Sequence, residues 1–167
     1  TTVCNLSCAW CYRFDSHYKQ TLDKVMSVET FEKIIDNTTG RFKLIHMAGI
    51  GEPTMHKDLC ELISIARRIT DKVKITTNGT LLTNEMLKSL EDAGLTDIEI
   101  SMDSFSSEQL MDLRGSDLSV LIENIRFINN HTKMDLQINS VVSNLNYEGL
   151  MNIVDVLGEM DRLKVLH

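Results

Sequence analysis

Short apolar runs alternate along this chain with longer segments of helical periodicity, and this alternation restricts the fold more than any other feature. Residues 44–47, 73–76, 98–102, 136–142 and 163–166 are runs of strand length, and residues 1–3 read as the end of a strand ahead of them. Between these runs, Val28, Phe31, Ile34 and Ile35 recur at helical spacing behind Ser27, a residue suited to an N-cap. Leu59, Leu62, Ile63, Ala66 and Ile69 mark a second helix. Met86, Leu87, Leu90 and Ala93, begun by Thr83 and stopped by Gly94, mark a third. Residues 118–128 carry Leu121, Ile122, Ile125 and Ile128 on one face, and residues 150–157 read as the last helix. Strands that alternate with helices of this length imply an α/β fold with a parallel sheet, either open and doubly wound or part of a barrel.

In both architectures chemistry belongs at the C-terminal ends of the strands. The unusual residues fall there. Cys4, Cys8 and Cys11 follow the first run, and Gly49, Gly51, Glu52 and Pro53 follow the second. Asn78 and Gly79 follow the third, Ser101 and Asp103 end the fourth, and Asn139 and Ser140 lie late in the fifth.

Composition excludes several classes of partner. With 17 basic and 24 acidic residues the net charge is -7, and no Lys/Arg-rich run offsets it, so a nucleic-acid backbone is not the expected partner. No apolar run approaches the roughly 20 residues of a membrane helix. Three of the four cysteines lie within eight residues, which is the pattern of a metal or redox site in a reducing compartment rather than of a disulfide scaffold. A cytoplasmic protein is expected. The cluster begins at position 4 and a strand stands at the other end, so residues 1–167 read as one domain of a longer protein, truncated at both ends.

Three thiolates on a short loop can meet three corners of a cuboidal iron–sulfur cluster and leave the fourth iron open. An open position is what separates a metal that binds substrate from one that only holds structure. Cys60, among Leu59, Leu62 and Ile63, reads as a small core residue. A structural zinc site completed by a residue such as His17 is the alternative use of the three thiols. His46, inside an apolar run, reads as a core histidine.

The segment Cys4-Asn5-Leu6-Ser7-Cys8-Ala9-Trp10-Cys11-Tyr12 resembles the cluster-binding loop of the radical S-adenosylmethionine (SAM) superfamily, and later motifs match in order and position over essentially the whole chain. The resemblance implies a partial (β/α)6 TIM-like barrel. It implies a [4Fe–4S] cluster on Cys4, Cys8 and Cys11 and SAM as the second cofactor, bound through its amino and carboxylate groups. It further implies reductive cleavage to a 5′-deoxyadenosyl radical that takes hydrogen from a peptide or small-molecule substrate, with an external electron donor such as flavodoxin or ferredoxin. Residues 76–128 resemble members that carry a further cysteine-rich domain of the SPASM type. A non-catalytic iron–sulfur protein that transfers electrons or senses redox state is the reading from another class.

Residue by residue, the resemblance places Gly51 and Glu52 beside the methionine ammonium, although Ile50 stands where the family commonly has glycine. It places Asn78 near the ligand, Ser101 against the ribose or methionine carboxylate, Arg114 on that carboxylate, Asn139 and Ser140 at the ribose, and the Tyr12 backbone at adenine.

Overall fold

The structure is a computed structural model that describes residues 1–14, 24–148, 150, 157, 160 and 163–166. Its centre is one sheet of five parallel strands in the order β1-β2-β3-β4-β5, which is also the order of the chain. The strands are β1 (Ile45–Met47), β2 (Val73–Thr77), β3 (Asp97–Ser101), β4 (Asp135–Asn139) and β5 (Leu163–Leu166). Among the described residues the sheet is open rather than closed into a barrel.

Among the described residues the α-helices are α1 (Val28–Asp36), which precedes β1, and α2 (Leu59–Ala66), α3 (Asn84–Asp92), α4 (Ser107–Arg114) and α5 (Leu118–His131), which lie between strands. The starts of α1, α3, α4 and α5 are set by side chains that accept an otherwise unpaired backbone N–H, whereas Asp58 makes no such bond at the start of α2. Ser27 accepts from Thr30, Thr83 from Met86, Ser106 from Gln109 and Asp117 from Ser119. Each such cap contributes about 1 kcal/mol. Gly94, at φ +103°, turns the chain sharply after α3, and a Cβ there would come within 2.8 Å of Arg67 Cγ.

The core lies between the helices and one face of the sheet. Val73 and Ile75, Ile98 and Ile100, and Leu136 and Ile138 point into it from successive strands. Ile63, Ala66, Leu87, Leu90, Leu121, Ile125 and Ile128 cover them from the helices. Cys60 packs at the margin of this cluster, as the sequence suggests, and burial pushes its thiol up.

Four expectations change. Residues 1–3 form no strand; they run beside the loop after β1, where the Val3 carbonyl accepts from the Glu52 N–H at 2.7 Å. The fifth expected strand stops at Asn139, short of Val142. Helix α4 has no counterpart in the periodicity reading, because only Leu110 and Leu113 of its eight residues are buried. Ile34, expected on the inner face of α1, is half exposed while Ile35 is buried. The expected helix over 150–157 and the candidate ligand His17 lie outside the described residues.

Leu121 of α5 is fully buried in the core, next to Gly79. Its replacement by Ala is expected to cost about 2–5 kcal/mol. Chemical denaturation should show the midpoint falling with the slope unchanged.

Candidate cofactor site at the strand ends

The cysteine loop is anchored from several sides. The Thr2 N–H donates to the Lys24 carbonyl at 2.8 Å, Arg13 Nε to the Thr2 carbonyl at 3.1 Å, and the Ala9 N–H to the Leu113 carbonyl at the end of α4 at 2.9 Å. Within the loop the Cys11 N–H donates to the Cys8 carbonyl at 3.1 Å, and one turn of 3-10 helix follows at Tyr12–Phe14. Asn5 reaches across to the Asn-Gly turn after β2: its amide donates to Thr80 Oγ1 and accepts from Asn78 Nδ2, both at 2.9 Å. Asn78 Nδ2 also lies 4.0 Å from Cys4 Sγ.

Cys4, Cys8 and Cys11 are free thiols and half-buried. Burial pushes the Cys8 thiol above its ordinary value; the Arg114 guanidinium opposes this, and Cys11, Cys4 and Asp103 add to the rise. Cys8 thus lies within electrostatic reach of both other thiols. Among the described residues no three His, Cys, Asp or Glu side chains converge tightly enough to hold a single metal ion. A cuboidal cluster, met at each corner by one thiolate, asks for a wider spacing. Soft thiolates in this number suit iron–sulfur chemistry.

The loop after β1 is pressed against the cysteine segment at Gly51. A Cβ on Gly51 would stand 2.5 Å from the Val3 carbonyl oxygen and 2.6 Å from that of Thr1, distances backbone atoms do not tolerate. The next residue, Glu52, is 2% exposed. Its Oε1 accepts from the Thr54 N–H at 3.0 Å, Thr54 Oγ1 at 2.7 Å and Thr77 Oγ1 at 2.6 Å, and its Oε2 from the Asn78 N–H at 2.7 Å. The carboxylate therefore joins the loops after β1 and β2. A ligand ammonium would have to share oxygens that four internal donors already use.

Because parallel neighbours in register share a face, the side of the sheet away from the core can be read as rows. His46 and Lys74 sit beside Asp97 and Asp135; Thr76, Glu99 and Gln137 form the next row; Ser101 and Asn139 form the last, at the strand ends. His46 is exposed on this face rather than in the core, and its Nε2 lies 2.7 Å from Thr76 Oγ1. Ser101 and Asn139 are brought together as neighbours, and Asn139 Nδ2 donates to Glu99 Oε1 at 3.1 Å. Ser140 differs from Asn139: its hydroxyl donates to the Met102 carbonyl and links the ends of β3 and β4.

Asp103 is fully buried, and its Oδ2 pairs with Arg114 Nε while Oδ1 accepts from the Val141 N–H at 2.7 Å. The Asp103 carbonyl accepts from Asn146 Nδ2 at 2.7 Å. Arg114 is expected on a ligand carboxylate; with Nε engaged, only its terminal Nη groups could serve. Tyr12 is 57% exposed at the outer rim. Sequence reasoning missed Lys74, Glu99 and Asn146. A charged residue alternating with isoleucine inside a short strand was the available signal for the first two.

Two outcomes follow from this geometry. Gly51→Ala should displace the segment that carries Cys4 and lower bound iron after anaerobic reconstitution, measured against the unchanged protein. The second concerns pH. Burial and the Lys74 charge push the His46 imidazole below 6.5, with Glu99 opposing. Burial alone would raise the Glu99 carboxyl, but hydrogen bonds from Lys74, Thr76 and Asn139 and the Lys74 charge together hold it below 4.5. Both folded values lie below the unfolded ones, so both stabilise the protein above those unfolded values and lose that effect as pH falls. The thermal midpoint should drop on acidification from neutral pH, first as His46 charges below 6.5 and again below 4.5 as Glu99 protonates.

Comparison with known proteins agrees with this picture. The chain is 29% identical over 167 residues to the tungsten-containing aldehyde ferredoxin oxidoreductase cofactor-modifying protein of Pyrococcus furiosus, covering 94% of this chain and 46% of that protein. It is 32% identical over 160 residues to a probable GTP 3′,8-cyclase of Methanocaldococcus jannaschii, covering 93% of this chain and 52% of that one. The chain thus spans about half the length of these relatives. Its fold matches SuiB of Streptococcus suis, solved with the precursor peptide SuiA, at a TM-score of 0.77 and 22% identity, over 98% of this chain and 36% of SuiB. The radical SAM superfamily model matches residues 1–157, and the chain belongs to that superfamily.

Proposed function

We propose that this chain is the catalytic core of a radical SAM enzyme, with Cys4, Cys8 and Cys11 as the three protein ligands of a [4Fe–4S] cluster. The observation that carries the reading is the placement of three free, half-buried thiols on one loop that is tied to the ends of β1, β2 and α4. When bound, the cluster supplies the electron that cleaves the SAM sulfonium to methionine and a 5′-deoxyadenosyl radical.

The chain's own residues bind and orient. Gly51 brings backbone close to the cluster loop, and Glu52 holds that backbone against the Asn-Gly turn. Ser101 offers its hydroxyl to the ribose or the methionine carboxylate, and Asn139, its neighbour at the strand ends, offers its amide to the ribose. Arg114, set by Asp103, offers its Nη groups to that carboxylate. Asn78 orients the cluster loop through Asn5, and the Tyr12 backbone borders the adenine position. Ser140, committed to Met102, serves by fixing the strand ends.

A peptide or a small molecule is the proposed substrate; the fold shared with SuiB, whose structure holds a precursor peptide, supports the peptide. A flavodoxin or ferredoxin in the cytoplasm would deliver the electron. No described helix is long and apolar enough to cross a membrane. Residues 1–167 are read as one core domain of a longer protein, and the family model over residues 1–157 supports that reading. An electron carrier would use the same thiols but has no use for the polar row at Ser101 and Asn139.

The test is anaerobic reconstitution, reduction and addition of SAM, with 5′-deoxyadenosine as the readout. Wild type should form it. Ala at Cys4, Cys8 or Cys11 should abolish both bound iron and product, whereas Cys60→Ala should retain both. Iron without product in the wild type would overturn the enzymatic reading.

A further inference from the structure

Glu99 has no place in the reading of the sequence, yet it is the most heavily engaged group on the open face of the sheet. It lies on β3, between β2 and β4, and is 5% exposed. Lys74 Nζ donates to its Oε2, and the same ammonium donates to Gln137 Oε1 at 2.7 Å. Its Oε1 accepts from Thr76 Oγ1 at 2.9 Å and from Asn139 Nδ2 at 3.1 Å. A carboxylate with these neighbours only accepts hydrogen bonds. It therefore determines which end of the Asn139 amide turns down toward the sheet, and that end is the NH2. The carbonyl oxygen, Oδ1, is left at the strand ends beside Ser101, and it accepts from no donor among the described residues.

We propose that Glu99, with its charge balanced by Lys74, is a positioning residue that locks Asn139 with its amide oxygen outward, so that the site selects a ligand group that donates a hydrogen bond. The group of that class in SAM is a ribose hydroxyl. The inference rests on the reading of Asn139 as a ribose contact. Thr76 extends the lock. Its hydroxyl proton goes to Glu99, so it accepts from Nε2–H of His46, and the neutral imidazole becomes the outer end of a one-way chain of donors.

The test compares binding of SAM with binding of its 2′-deoxy and 3′-deoxy ribose analogues to the anaerobically reconstituted protein, by calorimetry. Wild type should prefer SAM to at least one analogue by about tenfold, the size of one hydrogen bond with a charged or buried partner. In Glu99→Gln the lower side of residue 139 meets an amide that can present its own NH2, so Asn139 can turn over and present a donor. Affinity for SAM should fall about tenfold and the preference should vanish, with bound iron unchanged. Asn139→Asp alone should also lose affinity, because two carboxylates would then face each other. The double variant Glu99→Gln with Asn139→Asp should regain the preference. The amide introduced on β3 then donates to the new carboxylate from below, and that carboxylate still accepts from the ribose hydroxyl above.

Loss of SAM and analogue affinity to the same degree in Glu99→Gln, or failure of the double variant to improve on Asn139→Asp, would overturn the proposal. The second comparison stands even if Glu99→Gln alone does not fold. A wild type that binds SAM but ignores the ribose hydroxyls would overturn the Asn139 contact while leaving the family chemistry intact. A wild type that binds neither would remove both.

Discussion

The contact between residues 1–3 and the loop after β1 supports everything else at the site. The cysteine segment is not a strand of the sheet, so it has no ladder of hydrogen bonds to place it. It is placed by the Val3 carbonyl on the Glu52 N–H, by the absence of a side chain at Gly51, and by the buried Glu52 carboxylate, which carries the constraint on to Thr77 and Asn78. Hydrogen bonds to a charged group contribute about 1.5–3 kcal/mol each, and leaving their donors buried and unpaired costs a similar amount. A glutamate in this position is therefore a structural joint between two ligand loops before it is anything else.

The sheet gives the site its second property, which is asymmetry. One face is isoleucine, leucine and valine under the helices, and it sets the position of the strand ends through close packing. The other face is a ladder of His46, Lys74, Thr76, Glu99, Gln137, Ser101 and Asn139. A polar face of this kind would be costly if it were dry and unpaired. Here its members pair with one another from strand to strand, and the chain of contacts ends at the row where a ligand would lie. The packed face sets the strand positions, while the polar face carries the paired charges together with the candidate ligand row.

Much of this was legible in the sequence. The helix starts at Ser27 and Thr83, the stop at Gly94, and the inward isoleucines of β3 and β4 follow from periodicity and capping alone. The loops that carry Glu52 and Asn78, and Ser101 at the end of β3, follow apolar runs, where a parallel sheet puts its chemistry, whereas the strand expected before Cys4 does not form. Other features were not readable. Helix α4 has two buried apolar residues and a third, Met111, turned to solvent, so its pattern carries little periodic signal. The pairing of Arg114 with Asp103 joins residues 11 apart through the fold rather than through helical spacing. Glu52 was expected beside a ligand ammonium, and its four internal donors were not readable, because only the three-dimensional arrangement brings Thr77 and Asn78 to it.

The central claim is that three side chains, and no fourth, hold the cluster, so that one iron is open to SAM. Pulsed electron–nuclear double resonance on the reduced, reconstituted protein tests this directly, with SAM labelled by 15N in its amino group and 17O in its carboxylate. The account predicts magnetic coupling of both labels to the cluster. A cluster spectrum with no coupling to either label, unchanged when SAM is added, would contradict it.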